Sequence, residues 1–250
     1  MKTDMQLNAE AIRLRQRLGE DPYSPMDIFR LISSNENMTI AFFPMGERIS
    51  GISIQTDDVM LMGINSTQSQ GRQRFTAAHE LYHLFYDDEF SLKVCYTDMK
   101  PRSDKEREAD TFASFLLAPY EALLGFIEDK LGKANAPLTI EDVIRIEQHF
   151  GLSRQTTLVR LQKEGYLTAQ ETEKMKTSIV VTAKKLGYNT ALYKPTPEDE
   201  QYTTYGRYVA LVEELNKRTL ISSGIYEELL LDAFRSDIVY GSNLEDMVYD

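Results

Sequence analysis

Three residues in one short run have the types and spacing for joint chemistry: His79, Glu80 and His83, in the order His79-Glu80-Leu81-Tyr82-His83. On a helix, positions i and i+4 share a face one turn apart, so both imidazoles can reach a single ion. Glu80 follows the first histidine directly and projects toward that ion's open position. From there it can take a proton from an attacking water and later hand it to a leaving amine. The chemistry implied is zinc-assisted hydrolysis of a peptide bond, with His79 and His83 as ligands and Glu80 as the catalytic base.

A catalytic zinc usually has three protein ligands and one open position. The chain has three histidines, and the third, His149, falls in a later two-helix region where it reads as packed or at the surface. A carboxylate must therefore complete the set. The run Glu106-Arg107-Glu108-Ala109-Asp110 opens a helix whose other face, Phe112, Phe115, Leu116 and Leu117, is apolar. Glu106 and Asp110 stand at i and i+4. Glu106 is favoured as third ligand, with Glu108 as the alternative. Asp110 is placed to accept from the outer nitrogen of a ligand histidine and so fix its tautomer. Glu108 points away from Asp110 and is expected in solvent. Acids in a first helical turn also suit the helix dipole, but that alone leaves the zinc one ligand short.

The surrounding elements must hold these groups. Residues 5–18 read as an amphipathic helix built on Leu7, Ile12, Leu14 and Leu18. Asp21-Pro22 and Ser24-Pro25 break it, and a second helix is expected from Pro25 with Ser24 as N-cap. MTIAFF, ISGISIQ and VMLMGIN, separated by Pro44, Gly46 and Asp57-Asp58, read as three strands of a small antiparallel sheet. VMLMGIN is either an edge against which an extended peptide pairs or an interior strand. Gly71 then precedes the helix RQRFTAAHELYHLFY, in which Tyr82 faces the core. A polar connector over 87–103, containing Pro101, leads to the glutamate helix, which Pro119 ends. Cys95, in SLKVCY of that connector, reads as a buried small hydrophobe in preference to a redox or inhibitory thiol.

These residues carry a family resemblance. Arg74-Phe75-Thr76-x-Ala78-His79-Glu80-Leu81-x-His83, followed by Glu106-x-x-Ala109-Asp110-x-Phe112-Ala113-x-x-Leu116-Leu117-x-Pro119, resembles the ImmA/IrrE family of metallopeptidases over roughly residues 40–120. The resemblance implies a thermolysin-like arrangement of two helices beside a small sheet, zinc held by His79, His83 and Glu106, and catalysis by Glu80. It also implies a protein substrate, namely a transcriptional repressor of a mobile element or stress response. Many members have Asn where Asp110 stands, and Asp keeps the acceptor role.

The expected fold class is α+β: mainly helical, with a small antiparallel sheet packed on the His79–His83 helix and a helical C-terminal part. The expected divisions are a zincin-like peptidase domain over 1–132, a helix-turn-helix-like segment over 133–167 and a C-terminal helical region over 168–250. In the middle segment, Phe150-Gly151-Leu152-Ser153 joins two helical patterns. Its cations Lys133, Arg145, Arg154, Arg160 and Lys163 are nearly matched by Glu141, Asp142, Glu147 and Glu164. With a formal net charge of -11 for the whole chain, packing or repressor docking is favoured there over direct DNA binding. A DNA-binding regulator with a vestigial core, or a toxin held by an antitoxin, remains the alternative function. The single cysteine, with no signal-peptide pattern and no long apolar run, leads to the expectation of a cytoplasmic protein without a membrane partner.

Overall fold

A computed structural model describes residues 1–56, 59–86, 92–96, 103–134 and 136–241. The expected break at Asp57-Asp58, Pro101 and the last nine residues lie outside the described residues.

The first helix, α1 (Asp4–Arg17), opens with a reciprocal capping box between Thr3 and Gln6 and buries Leu7, Ala11 and Leu14 at helical spacing. The second, α2 (Ile28–Ser33), begins later than expected. Its N-cap is Asp27, whose side chain accepts from the Arg30 amide. Ser24 belongs instead to the turn before it, where its amide donates to Asp21 at 2.8 Å and its carbonyl accepts from Arg15. Arg15 is fully buried and also donates to the carbonyls of Asp21 and Leu116, at 2.8 and 2.7 Å. This one guanidinium joins α1, the turn after it and the end of the glutamate helix.

Among the described residues the sheet has five strands: β1 (Met38–Phe43), β2 (Ile49–Gln55), β3 (Met60–Asn65), β4 (Leu92–Tyr96) and β5 (Thr203–Gly206), in the order β4-β2-β3-β1-β5. The fold class is α+β, but the sheet is mixed where an antiparallel one was expected. β2 and β3 form an antiparallel hairpin, and β1 lies on the other side of β3 and parallel to it. β3 is therefore interior and offers no edge to a peptide. Its nearly unbroken apolar run is what a strand covered on both faces requires. The connector over 87–103 contributes edge strand β4, and the C-terminal helical part contributes the other edge, β5.

One face of the sheet is covered by α3 (Gln70–Tyr86), against which α4 (Asp104–Leu117) packs. Ala77, Ala78 and Leu81 of α3 and Ala109, Phe112, Ala113 and Leu116 of α4 are buried in one core, the alanines letting the two backbones approach. Ser103 caps α4 by accepting from the Glu106 amide. The start of α3 is held from far along the chain. The Gln70 amide donates to the Lys194 carbonyl at 2.8 Å, and buried Gln73 donates to Ser66, Gln68 and Thr196.

The helices α5 (Tyr120–Gly125), α6 (Ile140–Phe150) and α7 (Arg154–Lys163) follow, and Val143, Ile146, Phe150, Leu158 and Leu161 join the same core. Between α6 and α7, Gly151 takes a left-handed conformation (φ 67°) with the Arg74 side chain against its α-carbon. A side chain there would be strained and would meet that guanidinium. Five further α-helices lie beyond among the described residues, including α8 (Ala169–Lys174), α9 (Ile179–Lys185) and α10 (Arg207–Lys217). Among the described residues no single helix is long and apolar enough to cross a membrane.

Two cations of α7 face inward, while Arg145 of α6 and Lys163 of α7 are exposed. Arg154 is ion-paired with fully buried Glu147, which also accepts from the Tyr193 hydroxyl at 2.9 Å. Arg160 pairs with Glu164 and lies 4.0 Å from the Phe115 ring centroid. Removing Arg154 strands the Glu147 carboxylate in the core. Arg154→Ala is expected to lower stability by about 3–5 kcal/mol in urea unfolding, while Arg154→Leu with Glu147→Leu should recover most of that loss.

Candidate metal centre

His79, Glu80 and His83 lie in the buried middle of α3 and Glu106 in the first turn of α4. Packing the two helices brings three donor groups to one point. Nε2 of His79 is 3.1 Å from Nε2 of His83 and 3.3 Å from Oε2 of Glu106, and Nε2 of His83 is 3.4 Å from Oε1 of Glu106. Ligands set tetrahedrally about zinc at its usual bond lengths are separated by roughly 3.4 Å. The triangle therefore already has the dimensions that such an ion needs.

The electrostatics favour a cation at the same point. Burial works against a charge on the His79 ring, but its Cys95 and Glu106 partners outweigh that and hold its pKa up at about 10. His79 and His83 in turn hold the Glu106 carboxyl well below the usual carboxylate range. A metal binding here takes the place of a proton, which it must expel.

Asp110 lies one turn along α4 from Glu106, with Oδ1 3.0 Å from Nδ1 of His79. An ionised carboxylate only accepts, so Nδ1 carries the proton and Nε2 is left free to ligate. Glu108 is elsewhere and, contrary to expectation, is not in solvent. It is buried, accepting from the Tyr82 hydroxyl at 2.6 Å and from the Lys2 amide at 2.5 Å. The N-terminal residues fold across this side of α4, which the helical wheel of α4 alone does not reveal. Tyr82 is buried and packs on Tyr86 and Phe112, with its ring also edge-on to that of His83 at 5.9 Å between centroids. His149 stacks on Phe126 with ring centroids 4.3 Å apart, in the α6 region.

Two features of the site were missed by the sequence reading. Ser53 on β2 donates to Oε2 of Glu80 at 2.6 Å, while Oε1 is buried with no hydrogen-bond partner among the described residues. Only the inward register of ISGISIQ hinted at this. The other feature is Cys95: it is buried as expected, but its neighbours are not those of a small hydrophobe. One donor atom each from His79, His83, Cys95 and Glu106 lies within 4.8 Å of all the others. His79, Cys95 and Glu106 of this group line a cavity of about 290 Å³ that reaches across to Thr156 and Val159 of α7.

Because Asp110 fixes the His79 tautomer, Asp110→Ala is expected to weaken zinc binding by about 10–100-fold in a chelator competition. Asp110→Asn keeps the accepting oxygen and should lose much less.

Comparison with known proteins gives one family. No curated protein matches the chain. The family model of peptidase M78, the IrrE N-terminal-like domain, matches residues 34–162, from just before β1 to the end of α7. That span holds both ligand-bearing helices and just over half of the chain, which therefore belongs to the IrrE N-terminal-like peptidase family.

Proposed function

We propose that the chain is a zinc-dependent endopeptidase that cuts a regulatory protein, a helix-turn-helix transcriptional repressor being the favoured substrate. The observation that carries this reading is the state of Glu80. A carboxylate oxygen buried without a partner costs free energy, and this one belongs to the residue next to His79, whose ring the Glu80 charge acts on and which joins His83 and Glu106 in the donor cluster beside the cleft. A zinc ion held by His79, His83 and Glu106 would polarise the scissile carbonyl and acidify a water. Ser53 orients Glu80 through Oε2, leaving Oε1 to take the proton of the attacking water and return it to the leaving amine. Asp110 keeps His79 in its ligating tautomer throughout.

Substrate choice is assigned to the cleft. Edge strand β4 runs along it and α7 forms the facing wall, with Gln155 and Val159 exposed. An extended segment can add to such an edge through backbone hydrogen bonds. Helix α7 thereby acts as a docking surface for protein, a role supported by the inward, paired placement of Arg154 and Arg160. The repressor assignment is supported by the family resemblance alone.

Glu80→Gln is the direct test. The variant should bind zinc like the parent and lose cleavage by at least about 10²–10⁴-fold. It would be measured by co-expression with a helix-turn-helix repressor encoded beside it and mass analysis of the fragments. Cleavage at an unchanged rate would reject the mechanism, and an intact repressor with the parent enzyme would reject that substrate.

A further inference from the structure

Cys95 is the sole cysteine of the chain, and the fold delivers it to the metal centre by a specific route. It lies on β4 opposite Gly51 of β2, at a register shift between Ile49 and Gly51. Irregularities of this kind re-aim side chains beside active sites. Gly51 is needed there for space: a β-carbon would fall 2.6 Å from Cγ2 of Thr76 and 3.1 Å from Oε1 of Glu80. Without that side chain, β2 can lie against α3 and β4 can set its cysteine beside His79. The unpartnered Oε1 of Glu80 thus borders Gly51, the register partner of Cys95.

A thiol buried only for its apolar character would sit among apolar groups. Cys95 instead has its sulfur within 4.8 Å of two imidazole nitrogens and a carboxylate oxygen. Two histidines, a glutamate and a cysteine form a complete tetrahedral donor set for zinc, and thiolate is the softest ligand among them. Zinc sites with four protein donors are closed, whereas catalytic ones keep a position for water.

We propose that the Cys95 thiolate is a fourth, inhibitory donor to the metal, so that the chain as folded is a latent peptidase. This rests on the metallopeptidase reading above and adds its regulation. Activation is withdrawal of Cys95 together with β4. Among the described residues that strand pairs with β2 alone, so it can shift without breaking any other pairing in the sheet. The open position then becomes available to water and to a substrate carbonyl.

The experiment uses the full chain loaded with Co²⁺ in place of zinc, as the parent and as Cys95→Ala and Cys95→Ser. The parent should show intense near-ultraviolet sulfur-to-cobalt charge-transfer absorption. Both variants should lose it while keeping the visible cobalt bands. Acetohydroxamate, a small chelating anion, should perturb those visible bands in the variants at concentrations at least about tenfold lower than in the parent. Zinc retention against a chelator should fall by at least about tenfold in both variants, as it does even when an outer partner of a zinc ligand is removed. Cobalt bound without sulfur absorption in the parent, or equal acetohydroxamate sensitivity in all three, overturns the inhibitory thiolate and leaves the peptidase reading intact. Failure of the parent to bind Co²⁺ or Zn²⁺ overturns both. The serine variant keeps the side-chain size, so a folding defect confined to alanine does not decide the result.

Discussion

Two imidazoles and a carboxylate converge at 3.1–3.4 Å beside the apolar core that α3 and α4 share. Desolvated donors at such separations repel one another unless positive charge lies among them. The raised His79 pKa and the depressed Glu106 carboxyl express that demand through a proton, which a divalent ion meets more fully. Most of the architecture follows from having to satisfy this constraint. Alanines on the facing sides of α3 and α4 let the helices come close enough for a one-turn offset to align the donors. Asp110 then fixes which nitrogen of His79 faces inward.

The sheet serves the same constraint from the other side. Gly51 allows β2 to approach α3, and Ser53, two residues on and on the same face of the strand, reaches Glu80. That pairing leaves one carboxylate oxygen anchored and the other without a hydrogen-bond partner among the described residues, which suits the proton-accepting role proposed for it. The N-terminus of α3 is tied to a segment more than a hundred residues later, through the Gln70 amide and the Gln73 side chain. The C-terminal part therefore helps set the axial position of the ligand helix as well as adding β5 to the sheet.

Much of the site was legible because it is local. The i and i+4 spacings of His79 with His83 and of Glu106 with Asp110 are helix properties, and the structure brings all four residues together. What could not be read depends on contacts between distant segments. Glu108 looked solvated because a helical wheel does not show Lys2 lying over it. The sheet looked antiparallel because three consecutive strands suggest a meander, whereas β3 inserts between β2 and β1. The apolar run of VMLMGIN was a usable sign of an interior strand, since a half-exposed one would alternate. No such sign marked β5, whose TTYG is short and polar. β4 was hidden by the polar character of its surroundings, and with it the placement of Cys95.

That placement changes how the cleft is understood. The strand that presents Cys95 to the donors is also, among the described residues, the sheet edge nearest to them, the edge to which an extended peptide would add. A peptide bound there and the thiolate would compete for the same small volume beside His79 and Glu106. Substrate docking along β4 and α7 would then favour the arrangement from which the sulfur has withdrawn, because a ligand shifts an equilibrium toward the state it binds better. On this argument, specificity and latency share one element. A segment lacking the contacts to pull β4 away would meet a closed metal, whereas a partner that engages both walls would open the site it is to be cut in.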